Sequence, residues 1–574
     1  MKIKHLFGLA VIAAMTASCS SNEDLGTAGT GTNESGVGYA TFSINLPTTS
    51  GTRADGDPTF EDGDANEYDV FNATLLVFKK GTTAGEGNYT LAETVDLGSM
   101  QPWKNPSETG VTTQAKITAK LSNVDKSGDY FALVLLNNGS GSDAKVTLPS
   151  VGDTFSAWNA ATNAKATFTD TKKGFYMANA PLYNATDKSV TTLVAIDNSK
   201  IFPTEAQASS GDAAADIYVE RGLAKVTLKN TSTEEKSVAA SSSYAGDKVK
   251  INNWALDVTN KKTFPIHNVD GLSTDYEGIW KNEPAAGSSN PSNQRFVDNN
   301  DLTKVKRVYW GTDPNYKETN LSAETTGSKT AREENFNYIK KENLTADPNK
   351  PLYCLENTFN LDNMKQGQTT RVIFKASYTP KDFTPADGKT FYKIGTSVAL
   401  WKEKDLKDHI KAAVTKVITV ATEGNTTIDL AAEGNNITTA GNHEIKAANI
   451  TVTGHTVTDA EAKAVSDKVG LTKDAGISTY ANGESYYIAR IKHFGDVLTP
   501  WNSGAYGTNN LAYLGRYGML RNNWYELNVQ SVSGPGYPDV PEVKPNTPDD
   551  EDDQYIKVSV KILSWAKRSQ DVNL

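Results

Sequence analysis

Apolar residues along this chain recur mostly at every second position, in short segments that end in turns. The clearest case begins near residue 39, where Ala40, Phe42, Ile44 and Leu46 alternate with Thr41, Ser43 and Asn45. A period of two with one apolar face predicts a half-buried β-strand over residues 39–46. Pro47 ends it, and the following TTSGTRADGDPTFEDGD reads as exposed loop. Further strands are expected at 68–78, 116–122, 130–137, 174–183, 191–197 and 217–230, separated by turn segments such as NNGSGSD at 137–143. The run LLVF at 75–78 is apolar on both faces, which predicts a central strand covered on both sides.

A second, larger set follows at 249–258, 307–312, 370–378, 486–491 and 524–532. Two helices interrupt it. Near Lys402–Val417, Leu406, Ile410 and Val414 recur at i, i+4 and i+8 and form one apolar stripe. The other is expected near Asp459–Val469. The threonine-rich stretch 419–458 between them is weakly patterned and predicts an inserted hairpin array. No internal repeat of fixed period is present in the sequence. The fold class that results is all-β, with two domains in tandem at 54–228 and 229–534 and minor helices inserted in the C-terminal one.

Both ends of the chain depart from this pattern. Residues 535–554 carry Pro535, Pro538, Pro541, Pro545 and Pro548, then five consecutive acids, Asp549 to Asp553. They predict a linker that packs no core; as polyproline II, 535–553 would reach about 60 Å at ~3.1 Å per residue. The acids read as solubilising charge beside an aggregation-prone strand. That strand lies in 555–574, where Ile556, Val558, Val560 and Ile562 alternate with Lys557, Ser559 and Lys561. Taken by itself, it reads equally well as an edge strand of its own domain.

At the other end, MKIKHLFGLAVIAAMTASCSS has Lys2 and Lys4, an apolar run from Leu6 to Met15 too short for an ordinary bilayer span, then small residues before Cys19. It resembles a bacterial lipoprotein signal, 1–18, with Cys19 as the lipidated first residue of the mature chain and SSNED as an acidic surface-export tag. Thr16 stands where such signals usually carry a large aliphatic residue. Residues 19–53 then form a propeptide that contains the strand at 39–46. Its last residue, Arg53, is the only arginine in the first 220 residues. With Cys19 acylated, Cys354 has no partner for an intramolecular disulfide, and its apolar setting, PLYCLENTFNL, predicts a buried structural thiol.

Composition narrows the function. Lys and Arg number 58 against 68 Asp and Glu, a net charge of −10, which argues against nucleic acid or an anionic membrane surface as partner. The six histidines show no H-x-x-x-H or H-E-x-x-H spacing, and there is no G-x-S-x-G or glycine-rich phosphate loop. The acidic stretches EDGDANE (61–67) and DDEDD (549–553) do not fit an EF-hand register and read as solvated loop charge. No catalytic residue, metal or cofactor is therefore expected, and the chain reads as a non-enzyme.

The signal, the GTRA linker after a complete strand, VERGLAKVTL, RNNWYELNVQSVSGPGYP and the ending VKILSWAKRSQDVNL together resemble the fimbrillins of Bacteroidales. Within the type V pilins they resemble most the major subunit of the minor (short) fimbrium. The likeness covers both ends and the domain junction; 280–470 matches loosely. It implies two transthyretin-like β-sandwich domains and export as a palmitoylated outer-membrane precursor. It also implies a cut by an arginine-specific protease, here between Arg53 and Ala54. That cut would release the strand carrying Ala40, Phe42, Ile44 and Leu46. The groove would then accept the donor strand, with Ile556, Val558, Val560 and Ile562, from the next subunit. The implied partners are identical subunits in a homopolymer, accessory anchor and tip subunits, and a host or bacterial surface receptor. The implied product is a cell-surface fimbrium that serves adhesion and biofilm formation. The alternative is a surface lipoprotein or tip adhesin that binds glycan or host protein without polymerising.

Overall fold

A computed structural model describes residues 30–45, 67, 69–125, 127–161, 166–169, 173–184, 189–272, 296, 306–308, 310–319, 321–472, 474–494, 499, 513–549, 556–564 and 567–569, apart from 101–113. The N-terminal sheet is built from β1 (Gly38–Asn45), β2 (Val70–Lys79), β3 (Thr90–Met100), β4 (Gln114–Leu121), β5 (Tyr130–Leu136), β6 (Met177–Asn179) and β7 (Ala215–Arg221). Their order is β3-β2-β5-β6-β7-β1-β4, and Val194–Ala195 pairs with β5. In β2, Leu75, Leu76, Val77 and Phe78 are all fully buried, as the two-sided apolar run requires. The two ends of the order are drawn together by Glu93 on β3, whose carboxylate accepts the backbone N–H groups of Ser122 and Asn123 just beyond β4. The sheet thus curls around one apolar core to which Ala40, Phe42 and Ile44 belong.

The second domain is a sandwich. β8 (Ala224–Leu228) and β10 (Leu352–Cys354) lie in one sheet, and β9 (Lys248–Asp257) lies in the other. With β9 go β11 (Arg371–Thr379) and β14 (Glu484–Arg490), the latter numbered after two strands of an insert, β12 (Phe391–Ile394) and β13 (Ile477–Tyr480). With β8 and β10 go β15 (Asn523–Val532), β16 (Ile556–Ser564) and β17 (Lys567–Ser569), in the order β10-β8-β15-β16-β17. Val226, Leu527 and Val529 of one sheet meet Trp254, Val372 and Phe374 of the other in a shared core. The fold is all-β, with its longer helices in the C-terminal half.

The insert lies between paired strands β11 and β14 and has a core of its own. Its helices, α2 (Glu403–Val417) and α3 (Asp459–Val469), occupy the expected places, and Leu406, Ile410 and Val414 are fully buried. A shorter helix, α1 (Glu205–Ser210), lies in the N-terminal half. The hairpin array expected at 419–458 is reduced to Thr426–Ile428 paired with Ile450–Val452, while Gly441–His443 joins β13.

Several expectations are corrected. The segment 217–230 is not one strand. It breaks at Gly222 and Leu223, so β7 closes the first sheet and β8 enters the second, ahead of the division expected after 228. Gly222 has no room for a side chain, since a Cβ there would lie 2.8 Å from Tyr176 and 2.9 Å from Phe168. The strand expected at 174–183 is reduced to β6 and Leu182–Asn184, and that at 307–312 to Lys306–Arg307.

The proline-rich segment is also packed, not free. Tyr537 exchanges two backbone bonds with Tyr486, and the carbonyls of Gly534, Gly536 and Pro541 accept from Tyr487, Tyr480 and Arg371. Asp549 is fully buried and accepts from the Thr369 hydroxyl, so the first residue of the acidic run is an anchor rather than solvated charge. Proline forfeits only its N–H. Its carbonyls remain good acceptors for side chains that reach the strap.

Finally, β1 is not half-buried. Thr41 is 3% and Ser43 0% exposed, so both of its faces are covered. At its start, a Cβ on Gly38 would lie 2.6 Å from Ile201 Cγ2. Gly38→Ala is expected to lower the stability of the precursor by about 1–3 kcal/mol, the usual cost of overpacking, read as a lower urea midpoint.

Candidate strand-exchange site

β1 lies between β4 and β7. It runs antiparallel to β4 over eight consecutive pairs, Gly38 opposite Leu121 through Asn45 opposite Gln114. It runs parallel to β7 from Phe42 opposite Ala215 to Asn45 opposite Tyr218. Ala40, Phe42 and Ile44 are fully buried and supply the apolar side.

The other side is closed by a clasp, residues 198–214, that contains α1. Tyr39 exchanges two backbone hydrogen bonds with Phe202, at 2.8 and 2.9 Å, and the Ala214 N–H donates to the Thr41 carbonyl at 2.7 Å. The Thr41 hydroxyl donates to the Ala208 carbonyl at 2.8 Å and meets the Thr118 hydroxyl at the same distance. Thr204 caps α1 by accepting from the Gln207 N–H. A cavity of about 270 Å³ opens at the start of β1, lined among others by Thr30, Thr32, Val124, Asp125 and Ile201. The Lys79 ammonium, with the hydroxyls of Ser127 and Tyr130, holds the Asp125 carboxyl well below the usual carboxylate range.

Of the residues singled out in the sequence, Ala40, Phe42 and Ile44 come together here. Leu46, Arg53, Ala54 and Cys19 lie outside the described residues. The backbone of the terminal strand is β16. It pairs antiparallel with β15 of its own domain, with an irregularity between Asn528 and Ser531; the side chains of Ile556, Val558, Val560 and Ile562 are outside the description. Cys354 is buried on β10 opposite Ala224, and burial pushes its thiol up to about 12.

The clasp escaped the sequence reading, as did a latch where the two domains meet. Glu67 is fully buried; its carboxylate binds Lys225 Nζ at 2.7 Å and accepts from the Tyr353 hydroxyl at 2.6 Å. Its carbonyl accepts from Arg221 Nε. Lys225 also lies over the Trp524 ring, 4.1 Å from its centroid. Beside it Glu220 meets His267 Nδ1 at 2.8 Å, Arg521 meets Glu356 at 3.3 Å, and Asn522 accepts from the Arg221 N–H. VERGLAKVTL and RNNWYELNV thus converge on one junction, with Lys225 opposite Trp524 in the parallel pairing of β8 and β15. Glu67, taken in the sequence for loop charge, is its centre.

Among the described residues no group of three or more His, Cys, Asp or Glu is placed to hold a metal ion, and no helix is long and apolar enough to cross a membrane. No curated protein matches the chain. The tip fimbrial protein Mfa3 from Porphyromonas gingivalis with C-terminal truncation is matched over 93% of this chain and 100% of that one, at 9% identity and a TM-score of 0.28. Residues 478–571, from β13 through β17, match the family of major fimbrial subunit protein type IV, fimbrillin, C-terminal. By this C-terminal region, 478–571, the chain is similar to the fimbrillins.

Proposed function

We propose that the chain is a structural subunit of a cell-surface fimbrium, of the minor-fimbrium major-subunit kind, and that it polymerises by strand exchange. An arginine-specific protease cuts a lipidated precursor, anchored through Cys19, between Arg53 and Ala54. β1 then leaves, and the strand at 555–565 of the next subunit takes its place. The observation that carries this reading is the position of β1. It is buried on both faces and paired on both edges, yet it is the first described strand and is joined to β2 only through residues 46–69. A cut at Arg53 separates β1 from every other described strand.

A vacated groove presents two free backbone edges, which invite an added strand. Four aliphatic anchors at about 1.5–3 kcal/mol each supply roughly 6–12 kcal/mol before ordering costs. The strand that must move is held by an irregular ladder on β15, whereas the groove offers eight regular pairs along β4 alone. The purified precursor, treated with an arginine-specific protease, is expected to be cut at Arg53 and to give a ladder on a native gel. Deleting 555–574 should abolish the ladder but not the cut. A cleaved full-length chain that remains monomeric while binding a glycan would favour the non-polymerising adhesin.

A further inference from the structure

We infer that the groove accepts the donor strand in one register, with Ser559 at the place of Thr41, beneath α1. This rests on the strand-exchange reading. Residues 556–562 read IKVSVKI, the same in both directions about Ser559. In either orientation, Ser559 at position 41 puts Val558 and Val560 at the places of Ala40 and Phe42. It puts Lys557 and Lys561 at the places of Tyr39 and Ser43.

Those two places can take a lysine. Ser43 is fully buried, but the residues paired with it, Lys116 on β4 and Asp216 on β7, are both exposed. A lysine stem there can run out between them and bring its ammonium to Asp216. Tyr39 lies opposite exposed Lys120. The place of Thr41 is different, because the Ala208 carbonyl closes over it at hydrogen-bond distance. Serine keeps a hydroxyl for that carbonyl and for Thr118.

Slipping the strand by two residues in either direction puts a lysine under Ala208, where no room is left for it. Slipping by one puts lysines on the apolar side, among the core residues that now meet Phe42. The chosen register also finds a use for the fourth anchor. One isoleucine, 556 or 562, falls at the place of Gly38. With β1 present that place is filled, for a Cβ would meet Ile201, Thr32 and Val124. Cleavage at Arg53 removes Thr30 and Thr32 together with β1. The cavity they line then joins the space beside Ile201 and Val124. Ile201 and Val124 stay, so an isoleucine fits there once the Ile201 side chain, whose Cγ2 lies 2.6 Å from a Cβ at Gly38, moves into the space that Thr30 and Thr32 vacate.

The test pairs Thr118→Cys with Ser559→Cys in the full chain, cleaved and allowed to polymerise. Cys19 leaves with the cut, and Cys354 is buried. Mild oxidation is expected to link neighbouring subunits through 118 and 559 at least tenfold more than in chains carrying Lys557→Cys or Lys561→Cys instead. Ser559→Thr should keep the native ladder and Ser559→Lys should lose it, with the cut at Arg53 unchanged in both. Equal or stronger linkage through 557 or 561, or a normal ladder from Ser559→Lys, overturns the register while leaving exchange intact. A wild-type chain that is cut but never polymerises, or that polymerises without 555–574, overturns exchange and the register with it.

Discussion

A chain that starts at Ala54 and lacks 555–574 is expected to lose the cooperative unfolding transition of its N-terminal domain while the second sandwich still melts. β1 contributes Phe42 and Ile44, worth about 1.5–3 kcal/mol each when fully buried, and the smaller Ala40 at about 0.8 kcal/mol. Their sum, roughly 4–7 kcal/mol, is comparable to the 5–15 kcal/mol by which an ordinary domain is stable at all. The loss of β1 also strips the backbone of β4, which has no other strand partner in the described sheet. Calorimetry of the truncated chain should show one transition where the precursor shows two. Addition of a peptide spanning 555–565 should bring the second back. Two undiminished transitions in the truncated chain would mean that the domain does not need a strand at this place, and strand exchange there would have no driving force.

Glu67→Ala is expected to cost about 3–5 kcal/mol, because it leaves the buried Lys225 ammonium without its carboxylate. At a urea dependence of about 2–3 kcal/mol per molar, the midpoint should fall by about 1–2 M. Glu67→Gln combined with Lys225→Met removes both charges and should recover most of the loss, the result that separates charge burial from mere packing. The effect should be the same before and after cleavage, since Glu67 lies on the retained side of Arg53.

How legible these features were depends on what each residue faces. The presence of β1 follows from period two, that of β2 from its two-sided apolar run, and the two helices of the insert from period 3.6. β3 was missed because Glu93 points inward to the backbone of Ser122 and Asn123, which spoils the apolar alternation. The break at Gly222 was missed because the apolar pattern runs on through it, and only the rings of Tyr176 and Phe168 demand glycine there. Thr41 and Ser43 read as solvent-facing because alternation cannot foresee a helix carrying Ala208, 167 residues away, closing over a polar face. The latch had a partial signal in two charged motifs, but nothing local pairs Glu67 with Lys225.

The docked proline strap sets how force would travel through a fibre. With Asp549 buried and Tyr537 paired to β14, only residues 550–555 separate the strap from β16. Six residues reach about 20 Å when fully extended. In a polymer built as proposed, each joint is therefore short. Tension on one subunit's groove passes within that distance into the strap of the next, where the bonds along β14 and to Arg371 must yield together or not at all. The fibre's extensibility is then governed by peeling this strap from its own domain, not by the donor strand, and pulling experiments on single fibres should find the first yield there.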